Sequence, residues 1–392
     1  MPDPSANAAS LDCFAITAPG LEAITSMELQ ALGVRPGQPE RGGIPFSADL
    51  VELYAANLHL RTASRVIVRM ASFRADSFRA LERHARRVDW GRFLPPGRRV
   101  QLRVTCRKSR LYHSDAVAER ILAAIQHVTG ASVAPDAGGG DGDSEGEGAQ
   151  LFVVRLDHDV CTVSVDSSGA LLHLRGYRQA VAKAPLRETL AAAMLLGSGW
   201  DPAAPLIDPM CGSGTIPIEG AMLARRIPPG LARAFAFQSW PGFREESWKE
   251  LLADARAAIL PASPAPIFAS DRDAGAVAAT IANAERAGVI SSLTVSQRAL
   301  SAVEAPDATA PGWLLVNPPY GHRVGERDAL RALYSRLGQV AHTLLPGWTV
   351  ALLSADPRLE GQVGLDFEAA FRTANGGIPV RLAVATVPTE DR

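Results

Sequence analysis

The chain has 392 residues, which is enough for two or three domains, and its 47% hydrophobic and 21% charged residues are typical of a globular protein. The sequence contains no run of about 18 apolar residues, so no membrane span is predicted. The first ten residues lack the basic segment and apolar core of a secretion signal, so we expect a cytoplasmic protein. The four cysteines contain no CxxC pair, which argues against a disulfide framework and a metal site.

The net charge of −1 conceals a strongly basic block. Residues 61–120 hold fifteen arginines and one lysine against five acidic residues, a formal charge of +11. Such a block attracts phosphate, so nucleic acid is one interpretation of its partner. The other interpretation is a chain that uses arginine everywhere, because only three of its residues are lysines.

The first half of the chain alternates strands with helices. Residues 1–10 form a tail. Helical spacing and alternation then predict strand, helix, hairpin strand, helix and strand up to residue 74, which is typical of an α+β module of ferredoxin-like type.

A strand at 98–109 and a helix at 114–128 follow, the helix capped by Ser114 or Asp115. Residues 136–149 are almost only glycine and acid, which predicts a disordered insert. Residues 151–167 predict a hairpin that turns at His158 and Asp159.

From residue 185 onward, short apolar strands alternate with helices, which predicts a doubly wound α/β sheet, largely parallel and covered on both faces. The segment 227–264 is longer than a connection between a helix and a strand needs. It contains Trp240 and Trp248, and residues 248–260 should form a helix.

LIDPMCGSGT, residues 206–215, places Asp208 at a strand end and two glycines before a helix that starts near Thr215. Glycines let the backbone approach a ligand, and a helix start offers free N–H groups. Because GxGxxG and a Walker lysine are missing, phosphate binding is poorly supported. Asp208 would repel pyrophosphate and accept an ammonium group, which favours a nucleoside carrying a cationic amino acid over NAD or ATP.

The next strand ends in SDRD, residues 270–273, where a carboxylate can accept hydrogen bonds from a ribose diol. Asp271 is the first candidate and Asp273 the second. Each of these features alone is more often structural; in this order, followed by NPPY, they indicate a ligand site.

NPPY, residues 317–320, ends the strand LLV. An exocyclic amine on a base is a poor nucleophile that must be held by acceptors of its N–H bonds. The Asn317 side-chain oxygen and the Pro318 carbonyl can accept them, and Tyr320 can stack on the base. The structural alternative is a tight turn without a ligand.

Together, DPMCGSGT, SDRD and NPPYGHR resemble the class I S-adenosylmethionine-dependent methyltransferases that modify exocyclic amines. The resemblance implies a Rossmann-like domain in which Asn317, Pro318 and Tyr320 hold the target amine. It also implies the residues that hold S-adenosylmethionine: Asp208, Met210, Cys211, Gly212, Gly214, Thr215, Asp271 and Arg272. Where such enzymes usually carry an acidic residue near the adenine, this chain has Arg298, Ala299 and Leu300.

The first half resembles the ferredoxin-like and THUMP modules of guanine-N2 RNA methyltransferases of the RlmL type, which act on 23S ribosomal RNA. The resemblance implies a tail and ferredoxin-like module over 1–65, a THUMP module over 66–168, a linker over 169–185 and a methyltransferase domain over 186–392. Together with the basic block, the resemblance predicts a set of RNA contacts, which are Arg65, Arg69, Arg103, Arg107, Lys108, Arg110 and Arg323.

A tRNA guanine is the alternative substrate, and a non-catalytic RNA-binding or ribosome-assembly factor is the alternative of another class. We expect a monomer without a metal. The intact Asp208, glycine and NPPY set favours the enzyme over the factor.

Overall fold

The computed structural model describes residues 10–132, 148–179, 186–304, 310–320 and 327–389. The predicted insert 136–149 therefore lies outside the described residues except for its last two, as does the end of the predicted linker 169–185. The chain forms two compact units. The first comprises Met1–Thr17, Ser26–Leu172 and Arg233–Ala253; the second comprises Ala18–Thr25, His173–Ala232 and Asp254–Arg392.

The first unit is built on a six-stranded sheet in the order β2-β1-β3-β6-β5-β4. Neighbouring strands are antiparallel except for β4, which runs parallel to β5 at one edge. The strands are β1 (Leu11–Thr17), β2 (Gly43–Ala48), β3 (Ala63–Arg74), β4 (Arg99–Arg107), β5 (Ala149–Asp157) and β6 (Val160–Asp166).

The predicted boundary between residues 65 and 66 falls inside β3. This strand pairs with β1 on one side and with β6 on the other, so the first two predicted modules share one continuous sheet. The predicted hairpin turn at His158 and Asp159 is confirmed, and both residues have positive φ, as a two-residue turn between twisted strands requires.

The described helices of the first half are α1 (Glu22–Ala31), α2 (Leu50–His59), α3 (Phe78–Ala85) and α4 (Ser114–Thr129). The first turn of α1, up to Thr25, is assigned to the second unit, and the rest of these helices to the first. The strand pattern did not predict α3. The predicted cap of α4 is wrong: His113 occupies the N-cap position and makes no side-chain cap bond, because the helix already begins at Ser114.

The segment 233–253 belongs to the first unit, although the sequence placed it in the methyltransferase domain. Its Phe237 ring stacks on Tyr54 with centroids 4.4 Å apart, and the Arg244 backbone N–H donates to the Tyr54 hydroxyl at 3.1 Å. Its Trp240 indole N–H donates to Gln150 Oε1 at 2.9 Å. The segment supplies aromatic core to the first unit, which explains the length of the connection that contains it.

The second unit is built on a seven-stranded sheet in the order β12-β13-β11-β10-β7-β8-β9. The five strands from β11 to β9 are parallel, and β13 and β12 close one edge antiparallel, so the predicted doubly wound, largely parallel sheet is confirmed. The strands are β7 (Leu206–Asp208), β8 (Ile267–Asp271), β9 (Leu293–Gln297), β10 (Trp313–Val316), β11 (Thr349–Ser354), β12 (Glu368–Asn375) and β13 (Ile378–Thr386).

The remaining helices are α5 (Glu188–Gly197), α6 (Thr215–Ala224), α7 (Glu245–Ala257), α8 (Ala274–Arg286), α9 (Arg327–Leu344) and α10 (Pro357–Glu360). Successive residues of β10 pack into different cores: Leu315 lies in one cluster, and Leu314 and Val316 lie in the other. Both faces of the sheet are therefore covered, which explains why its strands are continuous apolar runs. In the described part of the chain, no helix has the length and apolarity to cross a membrane.

Candidate active site

The order of the parallel strands places a crevice at the carboxyl end of β7. The chain proceeds from β7 to β8 and β9 on one side and continues with β10 and β11 on the other, which makes the gap between β7 and β10 a topological switch point. A cavity of about 690 Å³ lies there, which we call the main cavity. It is lined by Pro209, Met210, Asp271, Arg272, Ala299, Leu300, Ser301, Asn317, Pro319, Ala329, Leu330, Leu333 and Arg336.

The two glycines of the turn after β7 have different roles. Both have positive φ, +56° at Gly212 and +84° at Gly214, where side chains are disfavoured. A Cβ on Gly214 would lie 2.7 Å from Thr280 Cγ2, whereas a Cβ on Gly212 would meet no described atom within 4 Å. Gly214 thus permits close packing of the turn on α8, and Gly212 leaves open space above the backbone.

Two polar residues of α8 hold this turn in place, and the sequence did not identify either of them. Thr280 Oγ1 donates to the Gly212 carbonyl at 2.9 Å, and Asn283 Nδ2 donates to the Ser213 carbonyl at 2.9 Å. A signal existed in the sequence, since both are polar residues at helical spacing on an otherwise apolar helix face, and both are fully buried.

Asp208 ends β7 and is 1% exposed. Its Oδ1 accepts a hydrogen bond from the Met210 backbone N–H at 3.2 Å. Burial, with a smaller contribution from the negative charge of Asp271, raises the pKa of this carboxyl to about 8. A cation bound beside it would stabilise the ionised form. Asp208 is not among the residues that line the main cavity, whereas its neighbours Pro209 and Met210 are.

Asp271 ends β8, lines the main cavity and braces the glycine turn. Its Oδ2 accepts from the Gly212 backbone N–H at 3.0 Å, and its Oδ1 accepts from the Asp273 N–H at 3.0 Å. Asp273 itself caps α8, where its side chain accepts from Gly275. Each Asp271 oxygen keeps further acceptor capacity, which a ribose diol can use.

Other residues predicted to bind the cofactor fall into two groups. Met210 and the exposed Arg272 line the main cavity. The side chains of Cys211 and Thr215 are directed elsewhere: Cys211 Sγ lies 3.5 Å from Thr280 Oγ1, and Thr215 Oγ1 accepts from Arg178 Nη2 at 3.1 Å. Burial raises the pKa of the Cys211 thiol, so it remains neutral.

The loop after β9 supplies a largely apolar wall at the position where similar enzymes usually carry an acidic residue. Ala299, Leu300 and Ser301 line the main cavity. The Arg298 side chain forms an ion pair with Glu304 at 2.8 Å, and its backbone N–H donates to the Asp271 carbonyl. This wall can cover the face of a flat ring by apolar contact.

NPPY follows β10 at the edge of the main cavity. The side-chain oxygen of Asn317 is buried, and among the described residues it has no hydrogen-bond partner. A buried acceptor without a donor is costly, so an N–H of a bound ligand would be stabilised at this point. Pro318 is buried, whereas Pro319 is exposed and lines the cavity.

The half-buried ring of Tyr320 is fixed at its hydroxyl. Asn375 Nδ2 donates to the Tyr320 oxygen at 2.5 Å. Burial raises the pKa of this hydroxyl, and the hydrogen bond from Asn375 opposes the rise. Asn375 lies 55 positions further along the chain, and the sequence did not identify it.

The predicted RNA contacts include one that is wrong. Arg65 is 2% exposed, pairs with Asp166 at 2.7 Å and donates to the Gly169 carbonyl, because β3 points this side chain into the first unit. Arg69 is only partly exposed and pairs with Glu40 at 3.2 Å. Arg103 and Arg107 lie on one exposed face of the edge strand β4, and Lys108 and Arg110 are exposed in the loop that follows. Arg323 lies outside the described residues.

A parallel sheet with a glycine turn, two strand-end carboxylates and NPPY defines a Rossmann-like methyltransferase. A family model for the RMKL-like methyltransferase domain matches residues 175–382, and one for the RlmL ferredoxin-like domain matches residues 12–67. The chain belongs to the RMKL-like methyltransferase family, as the motifs indicated. The THUMP module stays a prediction.

Among curated proteins, the chain is 35% identical to "Putative RNA methyltransferase" of Synechocystis, over 97% of this chain and 98% of the relative. It is 34% identical to "Ribosomal RNA large subunit methyltransferase K/L" of Methylococcus capsulatus, over 97% of this chain, and spans 52% of that relative's length.

Two solved structures resemble the whole chain. One, "SMU.472, a putative methyltransferase complexed with SAH", has a TM-score of 0.85 at 29% identity and covers 98% of this chain and 99% of its own. The other, "a predicted N6-adenine-specific DNA methylase" from Listeria monocytogenes, has a TM-score of 0.84 at 30% identity, with 97% of both chains covered. In the described part of this chain, no group of three or more His, Cys, Asp or Glu residues is arranged to hold a metal ion.

Proposed function

We propose that this protein transfers a methyl group from S-adenosylmethionine to the exocyclic N2 amine of a guanine in RNA, in the 23S ribosomal RNA of a cytoplasmic ribosome. The observation that carries the proposal is the buried side-chain oxygen of Asn317 at the edge of the main cavity, which has no partner in the part of the chain that the structure describes. A base amine supplies the N–H donor that this acceptor lacks.

The main cavity suits the cofactor on independent grounds. Asp271 lines it and has acceptor capacity for the ribose, and Ala299 and Leu300 can cover the adenine face. The buried carboxylate of Asp208, which is not itself among the lining residues, is the candidate partner of the cationic amino-acid part. Gly212 leaves room for the ligand to approach the backbone. The solved methyltransferase that contains SAH, which shares 29% of its sequence with this chain, supports the same cofactor.

RNA as the substrate is supported by the two curated relatives, whose names specify RNA and the large ribosomal subunit. The exposed cations on β4 and in the following loop agree, because cations that neutralise phosphates supply affinity independent of sequence. Which base is methylated is a separate question from the class of substrate, and guanine N2 is the first candidate. Adenine N6 is the second candidate, since the Listeria relative is described as an adenine methylase.

The residues around the amine act by holding and orienting it. Asn317 Oδ1 and the Pro318 carbonyl accept its two N–H bonds, which directs the nitrogen lone pair at the methyl carbon, and Tyr320 stacks on the base. When bound, S-adenosylmethionine supplies a methyl group whose bond to sulfur breaks as the bond to nitrogen forms. The proton then leaves for water. Orientation of this kind accounts for roughly 7–11 kcal/mol of a barrier, and the base must leave any helix to enter.

Mass spectrometry of nucleosides tests the proposal. A strain without the protein should lose one N2-methylguanosine from 23S ribosomal RNA and regain it on complementation. Loss from tRNA alone would support the alternative substrate, and loss of N6-methyladenosine would move the target to adenine. The set of methylated nucleosides could instead be unchanged in both RNA classes, with no binding of S-adenosylmethionine by calorimetry. That result would support the alternative that the protein is a non-catalytic RNA-binding factor.

A further inference from the structure

A second cavity of about 440 Å³ opens on the other side of the NPPY turn. Tyr320 lines this cavity, Asn317 and Pro319 line the main cavity, and Leu330 lines both. The cavity lies at the carboxyl end of β11, where parallel sheets bind ligands. Its lining is Tyr320, Arg327, Leu330, Arg331, Ala355, Asp356, Arg358, Leu359 and Gln362. We call it the arginine cavity.

Three guanidinium groups converge on this cavity from two elements. Arg327 and Arg331 are one helical turn apart on α9 and therefore share a face, and Arg358 comes from α10. Nothing in the described ranges pairs with Arg327 or Arg358 as an ion pair. Arg331 has a partner in Asp328 at 3.5 Å, but that carboxylate is 94% exposed and the contact is weak.

The carboxylates nearby are occupied. Asp356 lines the cavity, and its Oδ1 accepts from the Arg358 backbone N–H at 2.8 Å as the N-cap of α10. Glu360, on the same short helix, pairs with Arg381 at 3.0 Å and does not line the cavity. Three cations against two carboxylates, the capping Asp356 and the exposed Asp328, leave an excess of one positive charge.

Exposed arginines on a helix are usually only solvated, but these surround a concave site. Leu330, Leu359 and Ala355 supply apolar lining, which reduces solvent screening of the charges. A guanidinium binds phosphate oxygens in a bidentate way and is always charged. The volume is within the usual range for pockets that hold a small ligand.

We propose that the arginine cavity binds a backbone phosphate of the RNA strand next to the target nucleotide while Tyr320 contacts the base. This inference rests on the proposed function, because it needs an RNA substrate. A phosphate contact carries no sequence information but fixes the register of the strand. The cavity would therefore place the amine at Asn317 without selecting the base.

Binding of a short RNA tests this. The probe is a fluorescein-labelled single-stranded RNA hexamer with one guanine, titrated by anisotropy at several salt concentrations into protein saturated with S-adenosylhomocysteine. The combined variant Arg327→Ala, Arg331→Ala and Arg358→Ala should bind about ten-fold more weakly. Its plot of log affinity against log salt should be flatter by about 0.7 for each phosphate that the variant no longer neutralises.

The matched control is Arg256→Ala, which removes an exposed arginine from α7 of the same unit and should change neither affinity nor slope. As a control for folding, S-adenosylhomocysteine should raise the unfolding temperature of all these proteins by the same amount. If the combined variant is misfolded, the single variant Arg358→Ala is used in its place. Unchanged affinity and slope in the arginine variants would overturn the proposal.

A second hexamer, with adenine in place of guanine, separates this inference from the proposed function. If both hexamers bind alike and the arginine variants still flatten the salt dependence, the arginine cavity stands and the guanine assignment fails. If the guanine preference is present and the salt dependence is unchanged, the guanine assignment stands and the cavity does not bind phosphate.

Discussion

The Asn317 side-chain oxygen is a buried acceptor that has no hydrogen-bond donor among the described residues. Asn317→Ala removes the oxygen that orients the amine, so we expect turnover to fall about 10²-fold, as for a misplacement of roughly 1 Å. Filter binding should show nearly unchanged RNA affinity, and Asn317→Asp, which keeps an acceptor oxygen, should retain more activity than the alanine variant. Equal loss of RNA binding and turnover in Asn317→Ala would mean that the residue is structural.

Asp208 combines a functional charge with a cost to stability. Its pKa is raised from 3.8 in the unfolded chain to about 8, so the cofactor-free protein loses stability as the pH rises from about 4 to 8. Asp208→Asn keeps an acceptor for Met210 and removes the buried charge. We expect the variant's free energy of unfolding at pH 8 to exceed that of the wild type by on the order of a few kcal/mol, so that it unfolds at a higher temperature. At pH 4 the two proteins should unfold at the same temperature.

The same substitution should weaken cofactor binding. Calorimetry should show that the wild-type affinity for S-adenosylmethionine increases between pH 5.5 and 7.5, because binding a cation requires the ionised carboxyl. The Asp208→Asn protein should bind more weakly and show no such increase. An increase of equal size in both proteins would assign the titration to another group.

Residue types alone could predict much of this site. Asp208, Asp271 and Asn317 were selected because each follows a short apolar strand, and the ends of parallel strands meet at one edge. Arg65 was predicted wrongly for the converse reason: a basic block does not tell which arginines a strand turns inward, and β3 turns this one toward Asp166.

At the scale of the element, the hairpin of β12 and β13 reaches the candidate motif NPPY at Tyr320. Gly376 and Gly377 both have positive φ and form a two-residue turn, which sets the register so that Asn375 pairs with Ile378. From there Asn375 donates to the Tyr320 hydroxyl. No local pattern could have predicted this contact, because it depends on the order of strands in the sheet.

Asn375 should act by positioning the Tyr320 ring. Asn375→Ala frees the hydroxyl, so we expect kcat to fall several-fold while affinity for S-adenosylmethionine is kept. In a Tyr320→Phe background, where the hydroxyl is absent, Asn375→Ala should have no further effect. Additive losses in the double variant would show that Asn375 acts independently of Tyr320.

At the scale of the molecule, the two units are not successive pieces of the chain. Alternation of strands and helices could predict both sheets, but not that residues 233–253 complete the first unit. The excess length and the tryptophans of that region were visible, yet the Tyr54 ring, on which Phe237 and Trp248 pack, lies more than 180 residues earlier in the sequence.

A fragment of residues 1–172, which keeps all six strands of the first sheet, should therefore expose the apolar surface around Tyr54, which is fully buried in the intact protein. Joining residues 233–253 to it through a flexible linker should raise its unfolding temperature and abolish binding of a hydrophobic dye. The same linked fragment with Phe237→Ala should lose about 3–5 kcal/mol of this gain. Equal dye binding by the bare and the linked fragments would contradict the role of the segment.

The interleaved chain also has a consequence for synthesis on the ribosome. The first unit cannot be completed when residue 172 emerges, since Phe237 and Trp248 must follow. At roughly 5–20 residues per second, the nascent chain carries an unfinished aromatic core for several seconds. During that interval the growing polypeptide offers a natural binding site for chaperones, and a pause in translation between residues 172 and 253 would prolong it.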